Sequence, residues 1–213
     1  MIQAVIQFIQ DGGVFMYPIL FIGFLGLAII IERGIYLFMV KQQNQAFWQR
    51  IYPSLGKEEL QQTLSKTKAS PCAMARVIHQ GLKAIQQRRS TEDMSLAMEE
   101  TLMEILPRLE ARTHYVATFA NIATLLGLLG TIIGLITAFG AVSNADPAQK
   151  AEMLSAAISV AMNTTALGLF VAIPLMLAHA LLTSLTDKVV DSLDIASMKC
   201  LNRYRTALAN TKA

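Results

Sequence analysis

Residues 113–145, THYVATFANIATLLGLLGTIIGLITAFGAVSNA, and 153–186, MLSAAISVAMNTTALGLFVAIPLMLAHALLTSLT, contain no Lys, Arg, Asp or Glu over 33 and 34 positions. A hydrocarbon core about 30 Å thick takes about 20 apolar residues of helix, so each run reads as a membrane span. A third run, VFMYPILFIGFLGLAIII from Val14 to Ile31, is 18 residues long and closes on Glu32 and Arg33. The 213-residue chain as a whole is 54% apolar and 15% charged, with a mean hydropathy of +0.44. That composition excludes a disordered chain and an ordinary soluble enzyme. The expected fold is all-α: an integral membrane protein whose three long transmembrane helices extend into a cytoplasmic helical bundle, with the N-terminus outside. No strand pattern or internal repeat is visible.

Orientation follows from the basic residues. Eleven of the eighteen Lys and Arg lie between Lys41 and Arg112, five follow Thr186, and the turn around SNADPAQKAE carries only Lys150. Positive charge stays on the cytoplasmic side, so the long loop and the tail are expected there. No Lys or Arg precedes Arg33, which leaves the first run without the basic leader of a signal peptide and marks it as retained. The expected organisation is a periplasmic interfacial helix at 1–13, transmembrane helices at 14–40, 113–142 and 153–186, a cytoplasmic helical region at 41–112, a periplasmic turn at 143–152 and a cytoplasmic tail helix at 187–213. For residues 1–13, with Ile2, Val5, Ile6 and Ile9 at helical spacing, a frayed end is an equal alternative.

In the cytoplasmic region Ser70-Pro71 is expected to cap a helix whose buried face is Met74, Val77, Ile78, Leu82 and Ile85, and Ser90 with Asp93 forms a capping box for the next. Pro107 is expected to kink that second helix. The tail aligns Val189, Leu193, Ala196, Cys200 and Tyr204 on one side. As helices, the two long uncharged runs measure about 50 Å and should project past the bilayer to meet these elements.

No catalytic residue or metal site is expected. His79, His114 and His179 are scattered, and HExxH, CxxC, GxSxG and phosphate-loop motifs do not occur. Cys72 and Cys200 both fall in the expected cytoplasmic segments, where a structural disulfide is not expected. A net charge of +3 and the lack of any basic run interleaved with aromatics argue against nucleic acid as a partner.

The spans are more informative. Gly127, Gly130 and Gly134 project within about 60° of one another, a small face that admits close helix approach. Asn121, Thr124 and Thr131 line up beside Leu128 and Leu135. In the third span Ala161, Thr165, Gly168, Ala172 and His179 share one sector, and Ser155, Ser159 and Asn163 share another. Thr131 lies 15 residues before Asp146 and Thr165 lies 19 after it, so the two hydroxyls sit at similar depth. No carboxylate lies within any span, so an acid needed for proton transfer has to come from a partner.

GLLGTIIG at Gly127–Gly134, preceded by Leu125-Leu126, and TTALGLFVAIP at Thr164–Pro174 resemble the two signature helices of the MotA/TolQ/ExbB proton channel family, with the size of its ExbB and TolQ branch. The resemblance covers nearly the whole chain. It implies a homo-pentamer enclosing a dimer of single-span ExbD- or TolR-like helices, each with a membrane aspartate. Protons crossing this assembly would drive a TonB- or TolA-like protein from the inner membrane, with membrane lipids around the ring and no cofactor. Thr131 and Thr165 match the family's pore-facing threonines, while Gly127, Gly130, Gly134 and Gly168 are expected from their pattern to serve helix packing. Two positions depart from the pattern: Val160 stands where ExbB and TolQ usually have a glutamate, and Thr124 where they have a proline. Asn163 and Thr164 would then supply the polarity of the ion pathway, and the ion, proton or sodium, stays open. The AMNTTALGL stretch resembles an ExbB-like subgroup that accompanies accessory TonB systems. Two other classes compete: a structural scaffold that oligomerises through its small-residue faces without conducting, and a solute transporter, against which stands the lack of a span broken near its middle.

Overall fold

Among the described residues the chain forms six α-helices: α1 Met16–Ile51, α2 Leu60–Lys68, α3 Ala73–Gln86, α4 Thr91–Glu110, α5 Thr113–Ser143 and α6 Lys150–Lys212. A short 3-10 turn, Tyr52–Ser54, follows α1, and no strand occurs among the described residues. The structure, a computed structural model, describes residues 12–55, 60–87, 90–143, 146 and 149–212. The expected interfacial helix falls largely outside them. Three helical stretches are long and apolar enough to cross a membrane, and they take in residues 16–31, 113–143 and 153–186 of the uncharged runs. The third span and the tail are one uninterrupted helix of 63 residues, and neither Gly nor Pro occurs from Leu175 to Lys212 to end it.

The chain divides into two units. The first comprises Met1–Glu32 and Arg112–Leu181, the second Arg33–Ala111 and Leu182–Ala213.

The first, apolar unit holds α5, the start of α1 and the first half of α6. Small residues are buried in it: Ala120 and Ala123 are fully inaccessible, and Ala161 and Ala172 are 2% exposed. Large ones face outward, among them Phe21, Phe24, Ile136, Phe139 and Phe170. In α1, a Cβ on Gly23 would stand 2.9 Å from Val171 and one on Gly26 2.7 Å from Leu175, so this helix packs on α6 through two glycines three residues apart. Arg112, at φ 64° the one non-glycine described with positive φ, pairs with Glu32 at 3.3 Å.

The second, polar unit has a conventional core of Leu37, Ile78, Leu82, Met94, Met98 and Leu193. Met74, Val77, Ile78 and Leu82 are buried in α3, while Ile85 is half-buried near the helix end. All five tail positions from Val189 to Tyr204 are buried. The capping box forms: the Asp93 amide donates to Ser90 Oγ at 3.1 Å, and the Ser90 amide donates back to Asp93 Oδ2 at 2.9 Å.

Cys72, not Ser70, occupies the N-cap of α3 and makes no side-chain cap. The cap comes from elsewhere: buried Asn44 on α1 accepts from the Met74 amide at 3.1 Å. At the far end of α4, Arg33, only 4% exposed, donates to the carbonyls of Arg108 (3.2 Å) and Leu109 and lies 4.6 Å over the Tyr36 ring. A guanidinium there satisfies orphan carbonyls at the negative end of the helix dipole. Pro107 lies inside the last turn of α4, and the helix runs through it to Glu110. Both cysteines are buried and free, and burial pushes the Cys200 thiol up to about 12.

Candidate functional site

Glycines determine how closely α5 and α6 approach in the apolar unit. A Cβ on Gly127 would meet Thr165 Cα at 3.2 Å and Gly168 Cα at 3.3 Å; one on Gly168 would meet the Ala123 carbonyl oxygen at 2.8 Å. One on Gly130 would collide with the Thr164 methyl, and one on Gly134 would touch Ala161 Cβ at 3.0 Å. The four glycines therefore bring the chain's own two helices together, backbone against backbone.

That proximity lets a side chain of α6 reach the main chain of α5. Thr165 Oγ1 donates to the Gly127 carbonyl at 2.9 Å, while Thr131 Oγ1 donates to the next carbonyl, Leu128, at 2.6 Å. The two hydroxyls thus sit on consecutive carbonyls of α5. Both residues are half-buried. Each hydroxyl has its single proton committed to backbone and offers its remaining lone pairs as acceptors.

On the same two helices Asn121, Thr124, Ser155 and Ser159 are exposed and Asn163 is half-buried. Thr124 donates back to Ala120 at 3.1 Å. Large apolar neighbours, Leu128, Leu135 and Met162, are exposed as well. The unit thus carries polar groups on a surface otherwise built of hydrocarbon.

Thr164 is placed differently. It is 2% exposed, and its hydroxyl donates to the Gly12 carbonyl at 2.8 Å and approaches the Val160 carbonyl at 3.0 Å. One helical step of about 100° separates it from Thr165, and that step turns it into the unit. Its hydroxyl is spent on internal ties. Val160 borders a cleft of about 590 Å³ with Phe15, Ile133 and Ala157, a mainly apolar lining in which Thr137 and Thr164 are the polar members and which offers a carboxylate no charge partner.

The histidines stay apart in role. His179 Nδ1 lies 3.1 Å from the Thr113 carbonyl, the His114 ring lies 4.2 Å from that of Tyr115 at a 40° tilt, and His79 belongs to the polar unit. Among the described residues no group of His, Cys, Asp and Glu could hold a metal ion. Sequence reasoning missed Gly23 and Gly26, whose signal is their spacing of three in the first span, and Asn44 and Arg33, whose partners lie 30 and 75 or more residues away.

The profile of the MotA/TolQ/ExbB proton channel family matches residues 70–195. A biopolymer transport protein ExbB homolog of Methanothermobacter thermautotrophicus is 30% identical over 194 residues, 90% of this chain and 67% of that protein. The biopolymer transport protein ExbB-like 1 of Synechocystis is 31% identical over 84% of this chain and 71% of its own length. The Tol-Pal system protein TolQ of Haemophilus influenzae is 27% identical over 71% of this chain and 70% of its own. Two glycine-joined apolar helices with hydroxyls on their outer side, and a profile match over 126 residues that takes in both, lead to one assignment: the chain belongs to the MotA/TolQ/ExbB proton channel family.

Proposed function

We propose that the chain is the pore-forming subunit of an inner-membrane motor driven by the proton-motive force, working with an ExbD- or TolR-like single-span partner on a TonB- or TolA-like protein. Five copies surround a dimer of the partner and serve outer-membrane transport or envelope maintenance. The N-terminus and the 143–152 turn face the periplasm, and residues 41–112 and 187–213 face the cytoplasm, a topology supported by the distribution of Lys and Arg.

One observation carries this reading: Thr131 and Thr165 present hydroxyls on consecutive carbonyls of α5, in an apolar unit whose membrane spans hold no carboxylate. An exposed Asn121 or Ser159 in hydrocarbon is costly, which favours an assembly that covers this face. A partner carboxyl arriving there meets low dielectric, which favours its neutral form. Protonated, it donates to the threonine lone pairs; ionised, it accepts from the same hydroxyls once they rotate off Gly127 and Leu128. The proton passes from water on the outer side to the partner carboxyl and on to water on the inner side, and no bond of this chain breaks. Asn163 adds an amide to the same path.

Thr165→Val removes the hydroxyl at nearly constant volume. The ring should still assemble with its partner, energised transport or envelope function should be lost, and Thr165→Ser should restore it. Full activity in the valine variant would overturn the reading. A scaffold that merely oligomerises through its small-residue faces fits less well, because Gly127, Gly130, Gly134 and Gly168 are already occupied within one chain.

A further inference from the structure

In the polar unit, α2 and α3 enclose a cleft of about 490 Å³ lined by Gln61, Ser65 and Lys68 from α2 and His79, Lys83 and Gln86 from α3. Its lining holds three basic side chains and several neutral hydrogen-bonding groups, with no carboxylate among them. Neither Lys68 nor Lys83 forms an ion pair among the described residues, although Arg76 of the same α3 pairs with Glu104 at 3.9 Å.

His79 is held in a defined orientation. Thr67 Oγ1 donates its one proton to the Leu64 carbonyl at 2.9 Å, so it accepts from His79 Nδ1–H, also at 2.9 Å. Nδ1 is thereby committed, and Nε2 is left for a ligand. Burial and then the charges of Lys83 and Lys68 hold the His79 imidazole below its ordinary value of 6.5, against the opposing pull of the Leu64 carbonyl. Like charges gathered without a counter-ion among the described residues are an arrangement that an anion relieves.

We propose that this cleft binds a phosphate group, with Lys68 and Lys83 as charge partners, His79 as a third donor once the anion has drawn a proton onto Nε2, and the Gln61 and Gln86 amides completing the shell. A phosphate monoester carries nearly two charges near neutrality and three strong acceptor oxygens, which matches two ammonium groups and an imidazole better than a singly charged carboxylate does. The site is independent of the hydroxyl face, and its failure would leave the proposed motor function untouched. The same chemistry is offered by a soluble phosphate compound and by an anionic lipid headgroup.

The chain has three histidines, so the imidazole nitrogens of the full-length, isotope-labelled protein in lipid nanodiscs give few signals, and His79→Gln assigns the relevant one. In phosphatidylcholine discs, added pyrophosphate should raise the His79 titration midpoint saturably relative to chloride at equal ionic strength; this identifies a soluble ligand. A rise seen only in phosphatidic acid discs, whose headgroup is a phosphate monoester, identifies a headgroup. Either response should vanish in Lys68→Gln/Lys83→Gln, whose folding is checked by Trp48 fluorescence. No rise in either setting, or an undiminished rise in the double variant, overturns the proposal.

Discussion

The two units are packed by opposite rules. In the apolar unit, Met16, Ile19 and Val116 apart, the least accessible side chains are alanines and Thr164, and Phe170 and Phe24 are 76% and 69% exposed; in the polar unit Ile78, Leu82 and Met94 are fully buried. Water drives the second arrangement, since burying each such side chain stabilises by about 2 kcal/mol. Hydrocarbon supplies no such drive between helices, so the first unit depends on close backbone approach and on hydroxyls that satisfy carbonyls locally. Stability in one unit is a matter of volume filled, and in the other of volume left out.

Substitutions that reverse the size rule test this contrast most severely. Gly168→Val places side-chain atoms against the Ala123 carbonyl and the Gly127 backbone, neither of which can yield, and should abolish recovery of folded protein from membranes. Gly34→Ala, at a helical glycine with nothing within 4 Å, should be tolerated or gain about 0.5 kcal/mol. The reverse change sharpens the comparison: Leu82→Ala should cost the polar unit about 3 kcal/mol, whereas Phe170→Ala should leave the purified chain's melting temperature nearly unchanged. Trp48, the single tryptophan, lies in the polar unit 5.0 Å from Tyr52 and reports on its unfolding.

Smaller effects are expected at the polar unit's edges. Ser90→Ala removes half of the capping box and should cost about 1 kcal/mol, read as a lower denaturation midpoint by the same fluorescence. His79 gives the least. Its folded value is depressed below 6.5, so the unfolded chain binds the proton more readily; its contribution is present above pH 6.5 and lost as pH falls below it. In phosphate-free buffer His79→Gln should flatten that slope, and an unchanged slope would remove His79 as its source.

Legibility in the sequence follows the same division. Heptad-like spacing exposed the buried faces of α3 and the tail because those helices have a wet side and a dry side, and the capping box is a local pattern of four residues. The caps supplied by Asn44 and Arg33 were hidden because the chain must fold before donor and acceptor meet. In the apolar unit hydropathy is nearly uniform around each helix, so only the glycine and hydroxyl pattern carried direction. It located Gly127, Gly168, Thr131 and Thr165, but it could not tell which of the adjacent Thr164 and Thr165 turns inward, since that depends on where Gly12 lies.

The Gly127 carbonyl accepts the Thr165 hydroxyl inside an α-helix, where its other lone pair serves the helical amide four residues on. A doubly engaged carbonyl vibrates at lower frequency than one with a single partner. An isotope-edited infrared band from Gly127 would therefore shift upward whenever the hydroxyl swings away to meet an incoming acid, making one backbone oxygen an optical gauge of whether the path is loaded.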